Sequence, residues 1–97
     1  MKLRFVWDPE KNRENIKKHR VSFEEALTVF SNFPLEIFYD PDHSVEEERF
    51  IAVGFSNRQR ALLVVHCENK TGTVIRIISA RRPTKAEKAQ LFGGKRS

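Results

Sequence analysis

Residues 61–81 read ALLVVHCENKTGTVIRIISAR: two apolar, β-branched runs, Ala61 to Cys67 and Thr73 to Arg81, joined by a polar turn that holds Gly72. Runs of this length, rich in Val and Ile and separated by a glycine-containing turn, predict two neighbouring strands. Upstream, Leu35 to Asp40 and Arg49 to Ser56 have the same character, and four consecutive short strands predict an antiparallel meander. Ahead of it, Met1 to Trp7 is β-prone, and Asp8-Pro9 supplies an N-cap with proline at the first helical position. The helix that follows, about Pro9 to His19, has one apolar interior residue, Ile16, which shares a helical face with Asn12, Asn15 and His19. Its inner face is unusually polar. Ser22 with Glu25 forms a capping-box pattern opening a second helix, whose stripe of Phe23, Ala26, Leu27 and Phe30 must pack on something apolar before Asn32-Phe33-Pro34 stops it. After the meander, Pro83 and a second capping box, Thr84 with Glu87, open a third helix ending near Gly93-Gly94. The predicted order is β-α-α-β-β-β-β-α, an α+β fold in a single domain spanning residues 1–97, with Lys95 to Ser97 frayed.

Length and composition agree. Ninety-seven residues suffice for one core, and 39% hydrophobic content with eight Phe marks a chain that folds rather than a disordered tail. The apolar stretches are far shorter than a membrane span of about 20 residues, and the N-terminus lacks a secretory signal, so a cytoplasmic protein without membrane contact is expected. Cys67 stands alone in an apolar run, where a buried structural thiol is expected rather than a nucleophile.

The charge is polarised along the chain. Residues 81–97 hold Arg81, Arg82, Lys85, Lys88, Lys95 and Arg96 against Glu87, a local +5 that equals the net charge of the whole molecule. The first 20 residues are also basic, whereas residues 21–50 carry eight carboxylates against Arg49. Two basic ends around an acidic middle suit a surface that binds a polyanion, because counterion release from phosphates drives such association.

Strict alternation in the last strand points Val74, Arg76, Ile78 and Ala80 one way and Ile75, Ile77, Ser79 and Arg81 the other. Arg76 is then embedded among apolar neighbours, where a guanidinium needs either a carboxylate from Glu46 to Glu48 or a phosphate. Arg60 opens the preceding strand from a loop edge, where its loss would do little harm to the core. His19 and His43 are the histidines outside strand interiors and can act as general acid or base. Asp40 to Ser44 followed by Glu46 to Glu48 is read as a solvated turn with acids near Arg49 rather than a metal loop, since it lacks a fixed ligand order. Without a phosphate loop, a zinc pattern or a nucleophile elbow, any catalysis is expected to need neither metal nor cofactor.

Phe5-Val6-Trp7-Asp8-Pro9, then Asn15 through Ala26 (NIKKHRVSFEEA), then Asp42-His43-Ser44 with Glu47-Glu48-Arg49-Phe50, and finally Arg76-Ile77-Ile78-Ser79-Ala80-Arg81, resemble the successive motifs of the BrnT toxin family. The resemblance spans almost the whole chain in order. It implies a bacterial type II toxin of RelE-like fold, a ribonuclease that inhibits translation and is neutralised by an adjacently encoded BrnA-like antitoxin with a ribbon-helix-helix part, DNA being met only through that complex. Two positions depart from the family pattern. Arg20 stands where a glycine usually follows the Lys-His pair, and so must turn left-handed at some cost or end the helix differently. Leu91 stands where the C-terminal helix usually carries a tyrosine.

Cleavage of this kind has the substrate's own 2′-OH attack the adjacent phosphate, which requires a base, cations for the charge on phosphorus and a proton for the leaving oxygen. Arg60, Arg76 and Arg81 are the expected phosphate ligands, His19 and Lys18 the proton-transfer or electrostatic groups, and Glu48 a second candidate base. Arg82, Lys85 and Lys88 are expected to hold the RNA backbone. The rival reading is a nucleic-acid-binding module or corepressor that acts with its partner and does not cut.

Overall fold

A computed structural model describes residues 3–40 and 47–90. Strand β1 (Arg4–Val6) leads into helix α1 (Pro9–His19), helix α2 (Phe23–Leu27) and a 3₁₀ turn (Thr28–Ser31); strands β2 (Leu35–Asp40), β3 (Arg49–Phe55), β4 (Ala61–Glu68) and β5 (Val74–Arg81) follow, then helix α3 (Lys85–Lys88). The five strands form one sheet in the order β1-β5-β4-β3-β2, with β2 to β5 antiparallel neighbours and β1 parallel to β5. The α+β class and the element order read from the sequence both hold.

The caps explain where the helices begin. Asp8 accepts from the Glu10 amide and Pro9 takes the first turn, so α1 starts as the sequence indicates. At the other end Arg20 adopts φ 60°, ψ 33°, its amide closing on Ile16 O at 2.8 Å. The left-handed turn expected of a glycine is therefore made by an arginine. Thr84 and Glu87 form the full reciprocal capping box. Ser22 caps α2 through the Glu25 amide, but the Glu25 side chain does not return the bond, because Ser56 and Arg60 hold it instead.

Helices and the 3₁₀ turn cover one face of the sheet. Phe23, Ala26 and Val29 are fully buried against Ala52, Leu62, Val64, Ile75, Ile77 and Ala80, with Leu27 and Phe30 packed at the margin. Trp7 meets Phe23 edge-on and Phe5 meets Phe30, which fixes β1 to the helical layer. Ile16 is not part of this layer. It is 40% exposed, and the inner face of α1 is carried by Asn15 and Asn12. The Asn15 amide donates to Val21 O and Ala80 O, each at 2.8 Å, and accepts from Ala80 N at 3.1 Å. Because β1 ends opposite Arg76, the outer edge of β5 would be unpaired at Ala80; Asn15 closes it with a side chain. The polarity of that helix face thus has a structural use. Cys67 is buried and free of disulfide, as expected.

The β4 to β5 ladder is not regular. Val65 pairs with Ser79 and His66 with Ile77, so Ile78 is an extra residue opposite no partner.

Candidate functional site

Cross-strand partners share a sheet face, so the register decides which side chains can cooperate. Ile75, Ile77 and, beyond the bulge, Ala80 all point at the helical layer. Arg76, opposite Cys67, and Arg81, opposite Leu63, therefore both lie on the face turned away from the layer of α1, α2 and the 3₁₀ turn. Strict alternation had put them on opposite faces. The bulge at Ile78 shifts the phase by one residue and brings them to the same side, about 13 Å apart by the four-residue spacing of their partners on β4.

Arg76 is not embedded. Its side chain is 43% exposed and paired with Glu47, one of the three carboxylates the sequence offered it. Arg81 makes a bidentate pair with Glu87, both bonds 2.9 Å, which holds the Glu87 carboxyl down to about 2 while raising the arginine above its ordinary value. Arg82, Lys85 and Lys88 are exposed where β5 passes into α3, next to Arg81. The open face thus has a basic corner at the end of β5.

Arg60 is placed differently from Arg76 and Arg81. It donates to Glu25 at 2.5 and 3.0 Å and to the Arg20 carbonyl at 3.1 Å, while Ser56 Oγ donates to Glu25 at 2.6 Å. Glu25 is only 5% exposed, and the Arg60 hydrogen bonds hold its carboxyl below the usual range against the opposing pull of burial. Arg60 therefore joins the β3 to β4 turn to the start of α2 and the end of α1, and the expectation of an expendable loop-edge arginine is corrected. Sequence reading missed Glu25 because the capping-box pattern already accounted for it.

Lys18 and His19 line a shallow cleft of about 190 Å³ with Lys11, Glu14, Asn15, Ile78 and Ser79, at the place where α1 runs beside the open edge of β5. They flank the strand that carries Arg76 and Arg81. Glu48 lies at the Arg76 end of the sheet, near Glu47, Glu68 and the β4 to β5 turn. His43, Glu46 and Leu91, together with the tail residues Lys95 and Arg96, lie outside the described residues. Among the described residues no cluster of His, Cys, Asp or Glu has metal-site geometry, and no helix is long and apolar enough to cross a membrane.

A family model described as "Ribonuclease toxin, BrnT, of type II toxin-antitoxin system" matches residues 7–87 of this chain. Among solved structures, the 1.1 Å crystal structure of the Brucella abortus ribonuclease toxin BrnT superposes with a TM-score of 0.63 at 21% sequence identity, covering 86% of this chain and 99% of that one. The likeness agrees with the expected RelE-like architecture. No curated protein sequence matches.

Proposed function

The chain belongs to the BrnT family of ribonuclease toxins of type II toxin-antitoxin systems, and from that premise we propose that it cuts RNA on the open face of its sheet without a metal ion. The observation that carries the reading is the bulge at Ile78, which sets Arg76 and Arg81 on one face. Lys18 and His19 stand at the edge of the same strand. The RNA's 2′-OH attacks its own phosphorus, the bond from phosphorus to the 5′-oxygen breaks, and a 2′,3′-cyclic phosphate remains. His19 takes the proton of the 2′-OH, Arg76 and Arg81 stabilise the charge that builds on the phosphorane oxygens, and Lys18 gives a proton to the leaving 5′-oxygen, which departs as a 5′-hydroxyl. Arg82, Lys85 and Lys88 extend the phosphate track. Arg60 acts from behind by holding the helix layer, and Glu48, next to the Glu47 that pairs with Arg76, is the second candidate base.

A neighbouring antitoxin of the BrnA type, with a ribbon-helix-helix part, is the proposed partner, and the cytoplasm the proposed compartment. A second reading, binding without cutting, draws on the fact that Arg76 and Arg81 already hold carboxylates of their own chain. Incubating the purified protein with total RNA in excess EDTA decides between them: degradation to fragments ending in 2′,3′-cyclic phosphate is expected, and intact RNA with retained binding would establish the second reading.

A further inference from the structure

At the far end of the sheet from the Glu47 to Arg76 pair, the segment before β2 and the β3 to β4 turn enclose a shallow depression of about 530 Å³. Its most conspicuous member is Phe33, whose ring is 92% exposed and belongs to no core contact. Around it stand three amide side chains, Asn32, Asn57 and Gln59. Asn32 is fixed, its Nδ2 donating to Phe55 O at 3.0 Å and to Asn57 Oδ1 at 3.1 Å. The turn itself is fixed too: Ser56 is 3% exposed, Gln59 holds a left-handed φ of 62°, and the Asn57 amide donates to Thr28 Oγ1 at 2.9 Å. Among the described residues, Asn32 Oδ1, Asn57 Nδ2 and the Gln59 side-chain amide make no hydrogen bond within the chain, and all three residues line the depression. No carboxylate lines it, and Arg58, 72% exposed and 3.9 Å from the Glu25 carboxylate behind it, extends from the same turn.

We infer that this depression is a subsite for one unpaired nucleobase of single-stranded RNA, with Phe33 as the stacking platform and Asn32, Asn57 and Gln59 reading the base edge. A lone exposed aromatic ring costs solvent-exposed apolar surface and suits a flat π-face. Amide side chains offer the paired donor and acceptor that base edges require. Arg58 supplies the charge that a flanking phosphate needs. A protein partner would use the ring equally well, but would leave the ring of unsatisfied amides and the absence of carboxylates unexplained. Phe55 lies two strands across and about two residues along from Arg81, roughly 12 Å by sheet spacings, and Phe33 one strand further, roughly 17 Å, so one short strand can occupy both. The inference rests on the RNA reading above and deepens it from cutting to base preference.

The test uses the full chain and two hexanucleotides, one of 2′-O-methyl residues, which cannot supply the attacking hydroxyl, and one of equal charge with abasic sugars. Fluorescence anisotropy should show the base-bearing strand bound on the order of ten-fold more tightly, the scale of one stacked base. Phe33→Ala should erase that preference while keeping the abasic affinity, Phe33→Trp should retain it, and Arg81→Ala should weaken both strands alike. Asn57→Ala should flatten the preference among the four bases. Phe33→Ala with its preference intact overturns the subsite and leaves the RNA reading standing. Loss of the complex with a partner protein, at unchanged RNA preference, overturns it in favour of a protein contact. Failure of wild-type protein to bind either strand at low salt overturns both the subsite and the RNA reading.

Discussion

Glu25 and Arg60, 35 positions apart, meet in a bidentate pair at 2.5 and 3.0 Å, with the carboxylate almost completely buried. Removing Arg60 leaves the buried carboxylate only the Ser56 hydroxyl and the more distant Arg58, and breaking a buried pair costs about 3–5 kcal/mol. Arg60→Ala is therefore expected to lower Tm by more than about 10 °C in a domain of this size, with any loss of RNA cleavage following from unfolding. A variant that stays folded with an unchanged Tm and cuts poorly would return Arg60 to the phosphate site.

The same pair sets a pH dependence. Glu25 is held below its ordinary value of 4.5 and Glu87 down to about 2, each chiefly by its arginine. Depressed carboxylates stabilise the fold fully above about pH 4.5 and lose that contribution as pH falls through their folded values. Thermal melts should show Tm falling below pH 4.5 in the parent, with a shallower fall in Glu25→Gln, which has already lost the titrating group. Equal slopes in the two proteins would mean that Glu25 contributes nothing to the acid limb.

Asn15 satisfies three backbone groups at once, on Val21 and Ala80. Asn15→Leu, close in size, should cost more than about 2 kcal/mol, because buried backbone donors and acceptors are left unpaired, and hydrogen exchange at the Ala80 amide should accelerate. An unprotected Ala80 amide in the parent would remove the basis of this expectation.

Arg20 bears the left-handed strain of a position suited to glycine. Arg20→Gly should stabilise the protein by about 1 kcal/mol, or several degrees in Tm, since the contact it makes to Arg60 is through its backbone carbonyl and survives the change. A decrease in Tm would show that the arginine side chain has a role of its own.

For catalysis, Arg81→Ala is expected to lower RNA cleavage about 10²- to 10³-fold, the scale of one electrostatic donor. Its half-exposed pair with Glu87 is screened by solvent, so Tm should move by less than about 4 °C. His19→Ala should also be impaired in cleavage while staying folded. Folded Arg81→Ala protein that cleaves at the parental rate would put the phosphate site elsewhere.

Much of this fold is legible in the sequence because its signals are local. Asp8-Pro9, Ser22, Thr84 with Glu87, and the β-branched runs each act within a few residues, and the elements begin where those signals fall. What is not legible is non-local or out of phase. Nothing near Ile78 announces an extra residue in the ladder, so the alternation of β5 misplaces Arg81. Nothing near Arg60 names Glu25 as its partner, and Asn15 looks like a solvated helix residue until the edge it closes is in view. Arg76 was legible only as a choice between carboxylate and phosphate, and the fold supplies Glu47.

The extra residue in β5 gives the gene a tolerance that no single substitution reveals. Deleting codon 78 would restore an uninterrupted zigzag in which Ser79 follows Ile77; Ala80 would still face the helical layer and Asn15, and Arg81 would still face away from it. Replacing the half-buried Ile78 by another aliphatic residue disturbs neither count nor clasp. Along this stretch inheritance should therefore forgive the loss of one codon as readily as a change of letter.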